Sequence, residues 1–461
     1  MNAILPSGPL VAWYGDDYTG SAACMEVLAF AGLPSVLFLD PPTAEQARRF
    51  SDMRGIGLAG TARSQTPEWM DVALPGVFDW LTGMRAQISH YKVCSTFDSS
   101  PQVGSIGRAM DIAVQAFDGW MPVLPAAPEL RRYQAFGTLF AASPSGVARL
   151  DRHEVMSKHP VTPMAEADVR HILASQTVCQ IGLISLEDLQ DAETAASALQ
   201  RELAAGRKVT SIDMVSAADL AQIGALLWDH RSRKMLAVGS QGIEYALIAY
   251  WRNRGLIGAA PRVPSAGRAK QMVAISGSAS VLTADQIDHA SAHGFATIAL
   301  DAAACLRDPS AIGGTTSAAL DALSSGSDVL IYSAKGPQDP ALKEFRTVSD
   351  LRGLSAETAN HELGAILGRL LADLLGKTQI KRAAISGGDT SGHAARQLGI
   401  YALTALAPTV PGAALCLAHS HDAALDGLQL ALKGGQMGSL DYFDWIRRGG
   451  GPARYRENLN D

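Results

Sequence analysis

Residues 10–39 read LVAWYGDDYTGSAACMEVLAFAGLPSVLFL. The apolar run 10–14 has the character of a buried strand, and GDDYT (15–19) that of a polar turn. A helical stretch follows from Gly20 to Ala31 and stops at Gly32, with Pro34 just beyond. Residues 35–39 (SVLFL) are the next strand. Strand, turn, helix and strand in such quick succession make a βα unit of a parallel sheet, because parallel neighbours need a crossover. The alternation continues through strands expected at 55–59, 121–124, 180–184, 209–213 and 235–239, then 272–276, 296–300, 328–333 and 381–385. Thr283 with Gln286 gives a capping-box signal for a helix starting at Thr283. A long helix is expected over about 356–375, capped by Ser355 and stopped by Gly376. The fold class is therefore α/β, with mainly parallel sheets flanked by helices.

A chain of 461 residues exceeds one ordinary domain. Residues 252–270 are rich in Gly, Pro and Arg and lack periodicity. This places a linker at 254–270 between an N-terminal domain (1–253) and a C-terminal domain (271–461). With 47% hydrophobic and 18% charged residues the chain can bury a large core. A net charge of −6 disfavours nucleic acid as partner. Five dispersed cysteines without a C-x-x-C pair suit a reducing compartment. The first residues lack the basic region of a signal peptide, and no stretch has the length and apolarity of a membrane span, so a cytoplasmic location is expected.

In the second half, SGGDTSG (386–392) lies between a strand and a helix. Gly387 and Gly388 allow the backbone to approach a phosphate, and the helix start offers unpaired N–H groups. Thr390 adds a hydroxyl, and Asp389 suits a Mg²⁺-bound water or a ribose. SGSAS (276–280), with Ser278 and Ser280, and KGGQMG (433–438), with Lys433, Gly434 and Gly435, have the same style. Glycine turns are common one at a time; three in one domain point to a nucleotide cleft at strand ends. No Walker A pattern is present. In the first half, Asp16 and Asp17 end the first strand, where paired carboxylates suit polyol binding or deprotonation of an attacking alcohol. The bland alternative is one helix cap and one solvated charge. Arg63 and Ser64 follow another strand, and KVCSTFDSS (92–100) reads as a polar loop dense in groups that a sugar-acid pocket would use. His419, His421 and Asp422 form an H-x-H-D segment that is better read as a polar loop than as a metal site.

Taken in order, these motifs resemble the four-carbon acid sugar kinases. The likeness runs through GDDYTGS (15–21), TARS (61–64), LPAAPELRRYQAFGTLF (124–140), HPVTPMAEAD (159–168) and VGSQGIEYAL (238–247). It continues through SGSASVLTADQI (276–287), SGGDTSG, APTVPGAAL (407–415) and KGGQMG. The resemblance implies an ATP- and Mg²⁺-dependent kinase whose sugar acid meets Asp16, Asp17, Arg63 and Lys92, with Ser95, Thr96 and Asp98 in the same pocket. It implies that ATP lies against Ser278, Ser280, Gly387, Gly388, Asp389, Thr390, Lys433, Gly434 and Gly435. Asp17 is the expected base, with Asp16 beside it. A small-molecule acid is the expected partner, and the resemblance also leaves room for a homodimer.

Three positions depart from the family pattern. Cys94 stands where an acid is usual, Asp98 where an arginine is usual, and His159 where the Thr-Pro-Met motif opens with Asp. Arg to Asp reverses a charge and removes a bidentate carboxylate clamp. This points away from linear tetronates and toward a related acid such as the branched 3-oxo-isoapionate. The alternatives are a kinase for linear 3-oxo-tetronate or threonate, or a sugar-acid sensor of the same fold without turnover. Adjacent aspartates are not the Asp-x-Asp of haloacid-dehalogenase phosphatases, and no G-x-G-x-x-G follows the first strand.

Overall fold

The computed structural model describes residues 4–143, 145–159 and 161–451; the side chains of Glu357 and Asp389 are outside that description. The described residues form two compact α/β units. One holds the chain up to Val36 together with Thr43–Pro261; the other holds Leu37–Pro42 and the chain from Arg262 onward. Both sheets are mainly parallel and flanked by helices, as the alternating pattern requires.

The strands up to residue 239 are β1 (Val11–Gly15), β2 (Ser35–Phe38), β3 (Gly55–Ala59), β4 (Ile88–Lys92), β5 (Met121–Leu124), β6 (Arg132–Ala135), β7 (Thr138–Ser143), β8 (Gly146–Arg149), β9 (Ile181–Ile184), β10 (Val209–Ile212) and β11 (Leu236–Gly239). The main sheet runs β2-β3-β1-β4-β11-β5-β10-β9, while β6, β7 and β8 form a small antiparallel sheet. β1 pairs in parallel with both β3 and β4. The chain thus builds outward on one side of β1 and then returns to lay β4 on the other. A crevice opens at the carboxyl ends of two such strands, because the segments leaving them diverge.

The remaining strands are β12 (Val273–Ser276), β13 (Phe295–Ala299), β14 (Asp328–Tyr332), β15 (Arg382–Ser386), β16 (Ile400–Ala407), β17 (Leu415–Ser420) and β18 (Gln429–Lys433). Their order is β13-β14-β12-β15-β18-β17-β16, parallel from β13 to β18 and antiparallel beyond. Here β12 has β14 on one side and β15 on the other, so the same reversal recurs. The central strands β12, β14 and β15 are apolar and almost wholly buried, consistent with helices on both faces.

Several local expectations are corrected. ISHYK (88–92) is a fully buried strand, so Lys92 closes β4 and does not open a polar loop. Ser280, not Thr283, caps the helix Val281–Ala292 by accepting from the Thr283 N–H. Gln286 instead donates to the carbonyls of Met437 and Ser439, which pins the glycine turn after β18. Ser355 does cap the long helix, but the helix continues through Gly376 to Lys377. The helix after β1 begins at Tyr18, with Asp17 as its cap. Part of the Gly/Pro-rich stretch is tied down: Ala266 and Ala269 donate backbone N–H groups to the carbonyls of Gly449 and Arg447. No helix among the described residues is long and apolar enough to cross a membrane.

Ile275 lies at the centre of the second sheet, fully buried and in register between Ile331 and Ile385. Ile275→Ala is expected to lower unfolding free energy by about 2–5 kcal/mol through lost burial and a residual cavity. Denaturant titration checks this, and a shift below about 1 kcal/mol would mean that the sheet centre is not packed as described.

Candidate functional site

At the end of β1, Asp17 has extended backbone and caps the following helix, its Oδ1 accepting the Gly20 N–H at 2.9 Å and its Oδ2 the Thr19 hydroxyl at 2.7 Å. Asp16 points beneath it and is only 3% exposed. Arg63, in the turn after β3, bridges the two carboxylates. Its Nη2 donates to Asp16 Oδ1 at 2.7 Å and to Asp17 Oδ1 at 3.0 Å, and its Nε to Asp16 Oδ2 at 3.3 Å. The backbone locks the same corner, since Arg63 N donates to Asp16 O and Asp16 N to Lys92 O. Burial pushes the Asp16 carboxyl up to about 6; the Arg63 charge opposes this, while Asp17 reinforces it.

Lys92 reaches the corner from β4. It is 2% exposed, and among the described residues its ammonium makes one hydrogen bond, to Val93 O at 2.7 Å. Lys92 Nζ and Asp17 Oδ1 both lie close to Gly20. A Cβ on Gly20 would lie 2.3 Å from Asp17 Oδ1 and 2.7 Å from Lys92 Nζ. Only glycine leaves the ammonium and the carboxylate where they are.

The loop after β4 carries two of the three residues that depart from the family pattern, Cys94 and Asp98. Thr96 donates to Asp98 Oδ1 at 2.8 Å, and Cys94 Sγ lies 3.0 Å from Thr96 Oγ1. Because the threonine proton goes to the carboxylate, the thiol is the donor to threonine. Burial raises the Asp98 carboxyl, but the Arg63 charge and the hydrogen bonds outweigh it and leave the group below its ordinary value. Burial, reinforced by Asp98, raises the Cys94 thiol. Asp98 thus adds a third carboxylate to the surroundings of Arg63. Ser95 sits half-buried in the same turn.

In the second unit the three glycine motifs come together. Ser280 Oγ and Thr283 Oγ1 donate to Gly435 O at 2.5 and 2.7 Å, and Thr283 Oγ1 lies 3.1 Å from Ser278 Oγ. Gly387 N donates to Lys433 O, and Gly277 N to Ser386 O. Gly277 must lack a side chain, since a Cβ there would stand 2.4 Å from Thr390 Oγ1. Gly387, at φ +131°, starts the helix Gly388–Gln397 with no side-chain cap, a helix start of the kind suited to an anion. Lys433 is fully buried, its Nζ 3.1 Å from Gly434 O and 3.3 Å from Thr283 Oγ1. Gly434 and Gly435 continue directly from it. The side chain of Asp389 is outside the described residues.

Sequence reasoning read Thr283 only as a cap and missed its contacts with Ser278, Gly435 and Lys433. It also missed a buried set beside the first site. His90 Nδ1 lies 2.7 Å from Glu244 Oε1, His90 Nε2 lies 3.1 Å from Gly239 O, and the Cys24 thiol donates to Glu244 Oε2 at 3.3 Å. These residues come from β4, the helix Gly242–Asn253 and the helix after β1, far apart in sequence, so no local signal could have joined them. Among the described residues theirs is the one grouping of three metal-capable side chains, and it is internally hydrogen-bonded. His419 belongs to β17 and meets Thr404, with no such grouping around it.

Comparison with known proteins bears on both units. Residues 11–247 match the sugar-binding N-terminal domain family, and residues 273–443 match the nucleotide-binding C-terminal domain family. A 3-oxo-isoapionate kinase of Paraburkholderia graminis is 45% identical over 96% of this chain and 95% of its own. The chain belongs to the four-carbon acid sugar kinase family. Within it, 3-oxo-tetronate kinases of Pseudomonas fluorescens and Salmonella typhimurium are more distant, at 27% and 28% identity over 94% and 93% of this chain and 96% of each relative. A solved structure from Haemophilus influenzae, protein HI1011, shares the fold at TM-score 0.69 and 23% identity, covering 95% of this chain and 99% of that one.

Gly20→Ala is expected to cut turnover of the acid at least about 100-fold by displacing Asp17 and Lys92, with nucleotide binding unchanged. Steady-state kinetics with nucleotide calorimetry checks this, and near-normal turnover would contradict the contact at Gly20. Asp16 is expected to titrate near pH 6. Arg63→Met removes a positive charge that favours the carboxylate and should move that midpoint upward. Carboxyl ¹³C shifts of labelled aspartate report it, and an unmoved or lowered midpoint would show that Arg63 does not govern Asp16.

Proposed function

We propose that the protein is an ATP-dependent kinase that phosphorylates a hydroxyl of a small sugar acid, with a branched 3-oxo acid such as 3-oxo-isoapionate as substrate. The observation that carries the reading is the pairing of two sites on one chain. One is the Asp16–Asp17–Arg63–Lys92 corner; the other is the uncapped, glycine-lined helix start beside Lys433. The first unites paired carboxylates with a buried ammonium, as a hydroxy acid requires. The second offers N–H groups and small side chains, as a polyphosphate requires.

Asp17 is the assigned base. Its cap hydrogen bonds and Arg63 hold the carboxylate in one orientation, and its side chain keeps 14% exposure against 4% for Asp16. It receives the proton of the substrate hydroxyl as that oxygen attacks phosphorus. Asp16, beneath it, holds Arg63 in place. Lys92, with one internal hydrogen bond, has donors left for the substrate carboxylate. Ser278, Ser280, Gly387, Gly388, Thr390, Lys433, Gly434 and Gly435 would hold the nucleotide, joined by Asp389. Mg²⁺, when bound with ATP, supplies positive charge for the transferring phosphoryl group. The five free cysteines and the need for ATP support a cytoplasmic setting.

Two features support the branched substrate over linear tetronates. Asp98 adds negative charge where the family pattern offers an arginine, and the 3-oxo-isoapionate kinase is much more similar to this chain than the 3-oxo-tetronate kinases named above.

ATP consumption with Mg²⁺ against linear and branched 3-oxo acids tests the reading. Turnover of a branched acid above linear ones is expected. Preference for linear tetronates would sink the substrate assignment, and ATP binding without turnover of any acid would favour a sensor. Asp17→Asn should reduce kcat by about 10²–10⁴ while sparing ATP affinity. Near-normal turnover would reject Asp17 as the base.

A further inference from the structure

Ser276, Ser386 and Lys433 are register partners at the carboxyl ends of β12, β15 and β18, so their side chains project from the same face of three adjacent parallel strands. All three are fully buried. Ser386 Oγ has no hydrogen-bond partner among the described residues, an uncommon state for a buried hydroxyl. Lys433 Nζ, with three donors when charged, meets only the Thr283 hydroxyl, the Gly434 carbonyl and, at 5.8 Å, the face of Tyr442. No carboxylate of a described residue stands within ion-pair distance of it. The row ends beside the uncapped helix start at Gly387, whose dipole adds positive potential.

A buried ammonium without a counter-charge is costly, and the ordinary response is loss of its proton. Burial lowers the Lys433 pKa to about 7. Its neighbours are Thr283 from the helix Val281–Ala292, Ser386 from the adjacent strand β15, and Tyr442 from the helix Tyr442–Arg447 beyond β18, while the Ser391 hydroxyl lies against the Lys433 carbonyl. Of these only Tyr442 can titrate, and its hydroxyl donates to Ala413 O at 2.9 Å. The Asp389 side chain, outside the described residues, is not counted among them.

We propose that nucleotide binding is proton-coupled here: Lys433 is largely a neutral amine in the free protein at mildly alkaline pH and takes up one proton from solvent as the phosphates arrive. The inference rests on the ATP-kinase reading above and adds to it the group that changes charge. Negative phosphate beside the amine favours the charged form and returns the lysine toward its ordinary range. The orphan Ser386 hydroxyl gains an acceptor in the same event. The sign is fixed: proton uptake is small below the free pKa, where the amine is already charged, and approaches one above it. Nucleotide affinity therefore weakens as pH rises beyond that point.

Isothermal calorimetry of the full chain with Mg·ATP and no sugar acid, in buffers of different ionisation enthalpy, counts the protons. About 0.9 proton taken up at pH 8 and about 0.1 at pH 6 are expected. Lys433→Met keeps the side-chain volume and should bind Mg·ATP more weakly with no uptake. Measurable binding by the wild-type protein without uptake at pH 8, or full uptake retained in Lys433→Met, overturns the inference and leaves the kinase reading intact. A folded protein that fails to bind Mg·ATP overturns the kinase reading itself, and the inference with it. The wild-type measurement decides the matter even if Lys433→Met does not fold.

Discussion

Everything chemical in this protein depends on one feature of parallel sheets. Where a chain places successive strands on one side of a starting strand and then returns to the other, the segments leaving the two neighbours diverge and expose their carboxyl ends. β1 with β4 makes that arrangement in the first unit, and β12 with β15 in the second. Asp16, Asp17 and Lys92 sit at the first reversal; Ser276, Ser386 and the glycine motifs sit at the second. Helix N-termini follow both, so each crevice carries outward N–H groups or a capping carboxylate before any other side chain is considered.

The two crevices use burial in opposite ways. In the first, Arg63 bridges two aspartates, and the nearby Lys92 charge favours the Asp16 carboxylate. Each ion is partly compensated, which is how a buried group of mixed charge stays in place. In the second, Lys433 has hydroxyl, carbonyl and aromatic neighbours but no described anion. Holding a lysine near pH 7 in place of its ordinary value corresponds to a cost on the order of a few kcal/mol. A site that binds polyphosphate can recover that cost on binding; a site that binds a small acid beside its own carboxylates has less to recover.

Asp98 shows how a single residue changes the charge around a neighbouring arginine. It lowers the net positive character around Arg63 without touching the Asp16–Asp17 corner, because its own hydrogen bonds run to Thr96 and through it to Cys94. The buried His90–Glu244–Cys24 set lies under the same corner and joins β4 to two helices, giving Lys92 a rigid support.

The sequence by itself determined the class of the fold, most strands to within a residue or two, the Ser355 cap, and the strand-end turns that carry Asp16, Asp17 and the glycine motifs. These are local matters: strand and helix periodicity and terminal residues act over a few neighbours. It did not reveal β4, because ISHYK alternates weakly and carries a histidine and a lysine that only the surrounding packing accommodates. Nor did it show that Asp17 both caps its helix and pairs with Arg63, or that Thr283 touches Ser278, Gly435 and Lys433. Those facts depend on which strand ends become neighbours. Burial, and with it the environment of Asp16 and Lys433, is set by residues distant along the chain, such as Arg63 for Asp16 and Thr283 for Lys433, so only the tertiary structure could decide it.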